Sequence, residues 1–246
     1  MARYRLVIEY LGSAFVGWQH QENGLSVQQA LEEAIFRYCG ERLRTTAAGR
    51  TDSGVHALGQ VAHFDLARAR DAHQIQQALN FHLRPLPVAV LSVAPVGDDF
   101  NARFDAVRRH YRYRIVNRAA PLTVDRGLAW HVAQPLDAGA MHEAARELLG
   151  RHDFTTFRAT RCQARSPVKT LDGLAVSRHG NEIIVEAEAR SFLHHQVRSM
   201  VGTLSLVGRG KWTAADVAAA LAARDRKALG FNAPPEGLYL LRVDYP

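Results

Sequence analysis

RLRTTAAGRTDSGVHALGQVAHFDL, residues 42–66, reads as two strands joined by a polar loop, and the elements on either side fall into order around this hairpin. Arg42–Ala47 and Leu58–Leu66 supply the strands, the second carrying Val61, Phe64 and Leu66 among polar neighbours. Upstream, Arg3–Leu11 is rich in Tyr, Val and Ile, as a strand requires. Ser26-Val27-Gln28-Gln29 spells a capping box, in which Ser26 can bond the third helical N–H and Gln29 can reach back. Val27, Ala30, Leu31, Ala34, Ile35 and Tyr38 then recur at helical spacing until Gly40 stops the run. Downstream, Asp71 opens a second helix with Ile75, Ala78, Leu79 and Leu83 inward, and Pro85 and Pro87 end it before a strand at Val88–Val96. With the hairpin between two helices the order is β-α-β-β-α-β, the split pattern of a ferredoxin-like unit.

The second half repeats that order. Arg109–Asn117 reads as a strand, and Asp137–Leu149 as a helix with Met141, Ala145, Leu148 and Leu149 inward and Gly150 as its stop. Val168–Arg178 and Glu182–Ala189 flank the turn signal His179-Gly180-Asn181 and predict paired strands. Phe192–Val207 predicts a long helix, Thr213–Ala223 a further one, and Leu238–Asp244 a closing strand. The expected architecture is α+β: two ferredoxin-like or RRM-like units with mixed, mainly antiparallel sheets side by side and a cleft between. The expected domains are residues 1–105, carrying the 42–66 hairpin, and residues 106–246.

Composition sets the class. At 47% apolar and 22% charged residues over 246 positions, the chain can bury a substantial core without help from disulfides or metals. Lys and Arg outnumber Asp and Glu by 31 to 24, a net charge of +7, and such a positive field attracts polyanions, nucleic acid first among them. A plain solubility setting is the competing explanation. Cys39 and Cys162 are the only cysteines, far apart and without ligand spacing, so neither a disulfide framework nor a zinc site is suggested and a reducing cytoplasm fits. The first ten residues lack the apolar core of a signal peptide, and no run approaches the roughly 18 apolar residues of a membrane span.

Within the hairpin loop, residues 48–57 gather an Asp, two Gly, two hydroxyls, a His and an Arg. Asp52-Ser53-Gly54 is ordinary turn chemistry, since Asp bonds its own backbone and Gly supplies positive φ. The same loop also displays the most plausible reactive group of the chain, the Asp52 carboxylate, which can act as nucleophile or general base and which a nearby Arg would keep ionised. His56 beside a hydroxyl lacks a placed third member for a Ser/His arrangement, and Ser53 is not in a G-x-S-x-G elbow. Gly49 and Gly54 are expected to bend the chain that presents Asp52. No Walker-type loop or strand-borne G-x-G-x-x-G occurs, so no nucleotide cofactor is expected.

Near the domain junction Arg103, Arg108, Arg109, Arg112 and Arg114 interleave with Phe104, His110, Tyr111 and Tyr113. Cations neutralise phosphates while rings stack on unpaired bases, so this pattern suits RNA. In a strand Tyr111 and Tyr113 share one face and Arg112 and Arg114 the other, which makes Tyr113 a core residue and leaves Tyr111 open between core and site. Arg198 lies among Val197, Met200 and Val201 in the 192–207 segment, and a charge on so apolar a helix must snorkel or find a buried partner such as a carboxylate. His194 and His195, adjacent on that predicted helix, point about 100° apart and no spaced carboxylate or Cys completes a metal site.

Gly49–Ala57, Tyr111, Phe192–Gly202 (FLHHQVRSMVG) and Ala233–Leu238 (APPEGL), taken in this order, resemble the bacterial tRNA pseudouridine synthase A family over nearly the whole chain. Ser199 departs from it, standing where many relatives carry Asn. The resemblance implies an isomerase that converts uridine to pseudouridine at positions 38, 39 and 40 of the tRNA anticodon stem-loop, with no metal or organic cofactor. It implies Asp52 as the catalytic carboxylate, which attacks C1′ or C6 or first removes a ribose proton. It further implies Arg198 as the partner of Asp52, Tyr111 as the ring on the target base and acceptor of the C5 proton, Arg50 as the residue that helps extrude the base, and Leu238 as packing beneath the site. A homodimer whose tRNA touches both subunits is implied as well. A base must be flipped from its stem at a cost of a few kcal/mol, which phosphate contacts supply, so RNA affinity is expected to fall steeply with salt. Two other classes compete with this reading. A non-catalytic protein with two RRM-like units would need the RNP1 aromatics that the predicted central strands lack. A hydrolase or glycosylase would need a second prominent carboxylate.

Overall fold

The computed structural model describes residues 1–160 and 162–246. They form two compact units, Met1–Val107 with Tyr239–Pro246, and Arg108–Leu238. The class is α+β, with mainly antiparallel mixed pairing. Among the described residues no helix is long and apolar enough to cross a membrane.

The first unit runs β1 (Ala2–Tyr10), α1 (Val27–Cys39), β2 (Thr46–Ala47), β3 (His56–Leu66), α2 (Ala72–Leu83) and β4 (Val88–Val96). β1 is central, antiparallel to β3 on one side and β4 on the other, and β2 pairs with β3. That is the split β-α-β pairing the hairpin predicts. The local signals work as read: Ser26 and Gln29 form both halves of the capping box, and Gly40 ends α1 at φ 77°. Such a cap contributes about 0.5–2 kcal/mol. The Asp71 carboxylate accepts from the Gln74 N–H at the start of α2. Tyr4, Leu6, Ile8 and Tyr10 alternate along β1 and are buried with Leu31 and Ile35 of α1 and Ile75 and Leu79 of α2. Each aliphatic side chain so buried contributes about 1.5–3 kcal/mol. Val7, on the other face, packs in a smaller cluster with Val61, Ala48, Ala102, Phe100, Val243 and Tyr245.

The first strand of the hairpin is much shorter than Arg42–Ala47. A strand exists only where an edge is free to pair, and β3 gives β2 only the register Thr46↔His63 and Ala47↔Ala62. The other end of β3 pairs in parallel with the C-terminal strand, Tyr239↔His56 and Leu240↔Ala57.

The second unit runs β5 (Arg108–Asn117), β6 (Trp130–Val132), α3 (Ala138–Ala145), β7 (Gly150–Asp153), β8 (Val168–Leu171), β9 (Gly173–His179), β10 (Glu182–Ala189), α4 (Gln196–Gly208) and α5 (Ala214–Ala223). β9, β10 and β5 pair antiparallel in that order, and β6 adds to β5 in parallel. The predicted strand 168–178 divides. Its first part, β8, pairs with β7 in a separate ribbon, and only β9 joins the main sheet. α3 packs on β9 and α4, and Tyr113, Ile115, Val185, Met141, Met200 and Leu204 are all fully buried. The last strand, β11 (Leu238–Asp244), clusters from Tyr239 onward with the first unit, whereas the sequence reading assigns it to the second.

The predicted helix Phe192–Val207 begins only at Gln196. His195 takes φ 67°, the left-handed region, and the Gln196 side-chain carbonyl accepts from the Leu193 N–H at 2.8 Å. This satisfies a backbone donor outside the helix, so Phe192, Leu193 and His194 form a bend instead of a first turn. His194 and His195 are therefore not stacked along a helix; their rings sit 4.2 Å apart, tilted by 53°.

Candidate active site

In the first unit the loop 48–55 rises between β2 and β3. Asp52 and Val55 close a turn through the Val55 N–H and Asp52 carbonyl at 3.1 Å, with Gly54 at φ 80°. A positive φ at the third position of a turn calls for glycine, so the turn reading of Asp52-Ser53-Gly54 holds together with the presentation of Asp52. Gly49 is different: the chain bends at Ala48–Gly49, but with open space around its Cα and no positive φ that bend does not require glycine. Thr51 and Val55 are buried, Asp52 is half-buried, and Arg50 is exposed.

The turn is held from one side by residues 10–18, a connection to which the sequence reading gave no role. The Trp18 N–H donates to the Thr51 carbonyl at 3.0 Å, and the Ser53 hydroxyl donates to the Phe15 carbonyl at 3.3 Å. Gly17, at φ 111°, comes so close that a Cβ there would lie 2.8 Å from the Thr51 carbonyl oxygen and 3.2 Å from the Asp52 carbonyl carbon. A Cβ at Gly12 would lie 2.0 Å from the Val55 carbonyl oxygen. The Gly12 N–H donates to His56 Nδ1 at 3.1 Å, which places the ring proton on Nε2. His56 is fully buried and stacks on Tyr239 with centroids 4.6 Å apart. It thus supports the loop from within the unit and is no solvent-side base. Two glycines in the connection between β1 and α1 were the available signal for this close approach.

In the second unit Tyr111 and Tyr113 lie on β5, two residues apart on one face. Tyr113 is fully buried and its hydroxyl donates to the Pro234 carbonyl at 2.6 Å. Burial, then the Glu236 carboxylate, push its ionisation well above the usual phenol range, with Arg198 opposing. Tyr111 is half-buried, and its ring meets Phe192 edge-on at 5.2 Å, so Phe192 holds the ring by an aromatic contact that the sequence reading did not single out.

Arg198 on α4 is half-buried. Its Nε donates to the Ala233 carbonyl at 2.9 Å, and its own carbonyl accepts from the Ala233 N–H at 3.0 Å. Gly202 permits this contact, since a Cβ there would lie 2.0 Å from the Phe231 carbonyl oxygen. Ser199, fully buried, donates to Asn232 Oδ1 at 2.6 Å and so pins the residue next to Ala233. The one departure from the family pattern is thus in indirect contact with the setting of Arg198. Leu238 is buried at the start of β11, directly after Ala233–Gly237. Three of the four matched stretches, carrying Tyr111, Arg198 and Leu238, therefore build one neighbourhood of the second unit, while Arg50 and Asp52 belong to the first.

The arginine run is less available to phosphate than its sequence suggests. Arg112 pairs with Glu186 at 2.8 Å, Arg114 with Glu182 at 2.5 Å and Asp125 at 3.1 Å, and Arg108 with Glu188 at 3.8 Å. Except for Asp125, which lies in the loop after β5, these are cross-strand pairs, because β10 sets acidic residues opposite the basic face of β5. Arg103 instead lies over the exposed Phe104 ring at 5.5 Å.

The family model for tRNA pseudouridine synthase matches residues 6–105 and 144–246. Proteins named tRNA pseudouridine synthase A from Rhodospirillum rubrum and Parvibaculum lavamentivorans are each 61% identical over the whole of this chain, which covers 88% of the first and all of the second. The protein of that name from Mesorhizobium japonicum is 60% identical, with full coverage of both chains. With the Asp52 turn and the stretches carrying Arg198 and Leu238 inside those spans, this chain belongs to the tRNA pseudouridine synthase family.

Proposed function

We propose that this chain isomerises uridine to pseudouridine at positions 38, 39 and 40 of the tRNA anticodon stem-loop, with Asp52 as the catalytic carboxylate. The observation that carries the reading is the Asp52 turn: a half-buried carboxylate held by backbone contacts from residues 12–18, within a stretch that matches the family. A module that only bound RNA would have no use for a carboxylate fixed in this way.

In the reaction the N1–C1′ bond breaks, the uracil turns, C5 bonds to C1′, the C5 proton leaves, and N1 takes up a proton. No electrons or phosphoryl groups are exchanged, so a carboxylate and a base-holding surface suffice. Asp52 engages the nucleoside at C1′ or C6, or takes a ribose proton, and Arg198 serves it as the counter-charge that keeps it ionised and aimed. Tyr111 stacks on the flipped base and accepts the C5 proton through its oxygen. Arg50, exposed at the edge of the loop, helps to extrude the base, and Leu238 packs beneath it. The net charge of +7 supplies long-range attraction for the tRNA phosphates. A cytoplasmic homodimer completes the proposal, by the same family resemblance.

The test is to incubate the purified protein with unmodified tRNA transcripts bearing uridine at these positions and map pseudouridine by carbodiimide adducts and primer extension. Stops one nucleotide 3′ to position 38, 39 or 40 are expected. Stops elsewhere would overturn the assignment to the anticodon stem-loop, and none at all would overturn the activity.

A further inference from the structure

We propose that Tyr10 is a positioning residue for catalysis, fixing Asp52 through the Thr51 hydroxyl at its side with Gln60 as the brace. The proposal rests on the reading of Asp52 as the catalytic carboxylate. Tyr10 ends β1 and is 4% exposed, and its hydroxyl meets Thr51 Oγ1 at 2.8 Å. A phenylalanine would fill the same volume against Trp18 without burying a polar atom, so the hydroxyl needs a reason. Its neighbour supplies one, since Thr51 directly precedes Asp52.

Gln60 on β3 is fully buried, and its Nε2 donates to the Gly49 carbonyl at 2.8 Å and to the Tyr10 oxygen at 3.4 Å. A carbonyl only accepts, so the amide nitrogen must face Gly49 and the orientation of Gln60 is determined. The Tyr10 oxygen then accepts from Gln60 and shares a hydrogen bond with Thr51 Oγ1 in which either hydroxyl can donate. One chain of hydrogen bonds thus runs from Gly49 through Gln60 and Tyr10 to Thr51, the residues on either side of Arg50. The Trp18 N–H holds the carbonyl of Thr51 at the same time. Thr51 is fixed through both its side chain and its backbone, and Asp52 has little freedom beyond its own side chain. Burial also keeps Tyr10 protonated, so its hydroxyl persists throughout the neutral range.

The test compares Tyr10→Phe, Thr51→Val, Thr51→Ser and the Tyr10→Phe/Thr51→Val double variant by tritium release from C5-labelled uridine in tRNA, with Asp52→Ala beside them. Misplacing a reacting group by about 1 Å costs about 100-fold, which bounds the effect. Tyr10→Phe and Thr51→Val are each expected to lower kcat about 10- to 100-fold with KM for tRNA within about twofold. The double variant should be no slower than the worse single one, and Thr51→Ser, which keeps the hydroxyl, should stay within about threefold of wild type. A purely structural role would lower kcat only in proportion to the folded fraction, and that outcome overturns the proposal. Wild-type kcat in Tyr10→Phe with an inactive Asp52→Ala also overturns it. Should Tyr10→Phe fail to fold, the contrast between Thr51→Val and Thr51→Ser decides: equal rates refute positioning. Wild-type turnover in Asp52→Ala would instead remove the reading on which the proposal rests.

Discussion

Gly12→Ala puts the packing of the Asp52 turn under direct strain. The added Cβ would lie 2.0 Å from the Val55 carbonyl oxygen, 2.3 Å from its carbon and 2.7 Å from its nitrogen, all backbone atoms that cannot swing aside. Ordinary contact begins near 3.4 Å, so the two segments must part by about 1.4 Å. The Gly12 N–H to His56 Nδ1 bond, now 3.1 Å, then passes beyond hydrogen-bonding distance at a fully buried ring. Overpacking of this kind costs about 1–3 kcal/mol and the lost bond a similar amount, together about 2–6 kcal/mol. In a protein of this size each kcal/mol lowers the melting temperature by roughly 2–4 °C, so thermal unfolding followed by circular dichroism should show a drop of roughly 5–20 °C. Turnover measured where the variant is still folded should fall about 100-fold, because the displaced backbone carries Asp52. Gly49→Ala is the control, with open space and no positive φ, and should melt within about 1–2 °C of wild type. A Gly12→Ala protein with wild-type melting temperature and turnover would refute the close approach and the support it gives the loop.

Three further outcomes are expected. Tyr111→Phe should bind tRNA with wild-type affinity and lose turnover by about 100-fold or more, as expected on removing a proton acceptor, whereas an unchanged rate eliminates that role. Arg198→Met should fold, since the aliphatic stem is kept, yet show turnover lowered at least about 100-fold in tritium release; a wild-type rate separates Arg198 from Asp52. Burial pushes the Tyr10 hydroxyl from about 10 to about 12, so the folded state holds that proton more tightly than the unfolded chain. The stability is fully present below pH 10 and is lost as pH rises toward 12, by about 2–3 kcal/mol. Tyr113, raised likewise, acts in the same direction. Urea midpoints between pH 9 and 11.5 should fall less steeply in Tyr10→Phe than in wild type, and equal slopes would contradict a buried, protonated Tyr10.

Features set by neighbours in sequence were legible, and features set by distant partners were not. The Ser26-Gln29 box, Gly40 and the Asp71 cap involve groups three or four residues apart, and each sits where the sequence predicts it. The length of β2 depends on how far β3 pairs with it, and that ladder holds only Thr46↔His63 and Ala47↔Ala62, while the other end of β3 pairs with Tyr239 and Leu240, nearly two hundred residues onward. The arginines of β5 read as phosphate ligands until β10 supplies Glu182, Glu186 and Glu188 across the sheet. Helical spacing carried the predicted start of α4 back to Phe192, but one left-handed residue, His195, and the Gln196 side chain place it later. Asp52 was conspicuous as a lone carboxylate between glycines. Its support from Tyr10, Gly12, Gly17 and Trp18 was not, because no periodicity announces a contact between a strand end and a loop forty residues away.

The central claim is that Asp52 carries out the isomerisation. It is tested most directly by releasing tritium from C5-labelled uridine in unmodified tRNA, with wild type and Asp52→Ala compared at equal tRNA occupancy. The account predicts release by the wild type and none above background by Asp52→Ala. Release by the variant at the wild-type rate would contradict it.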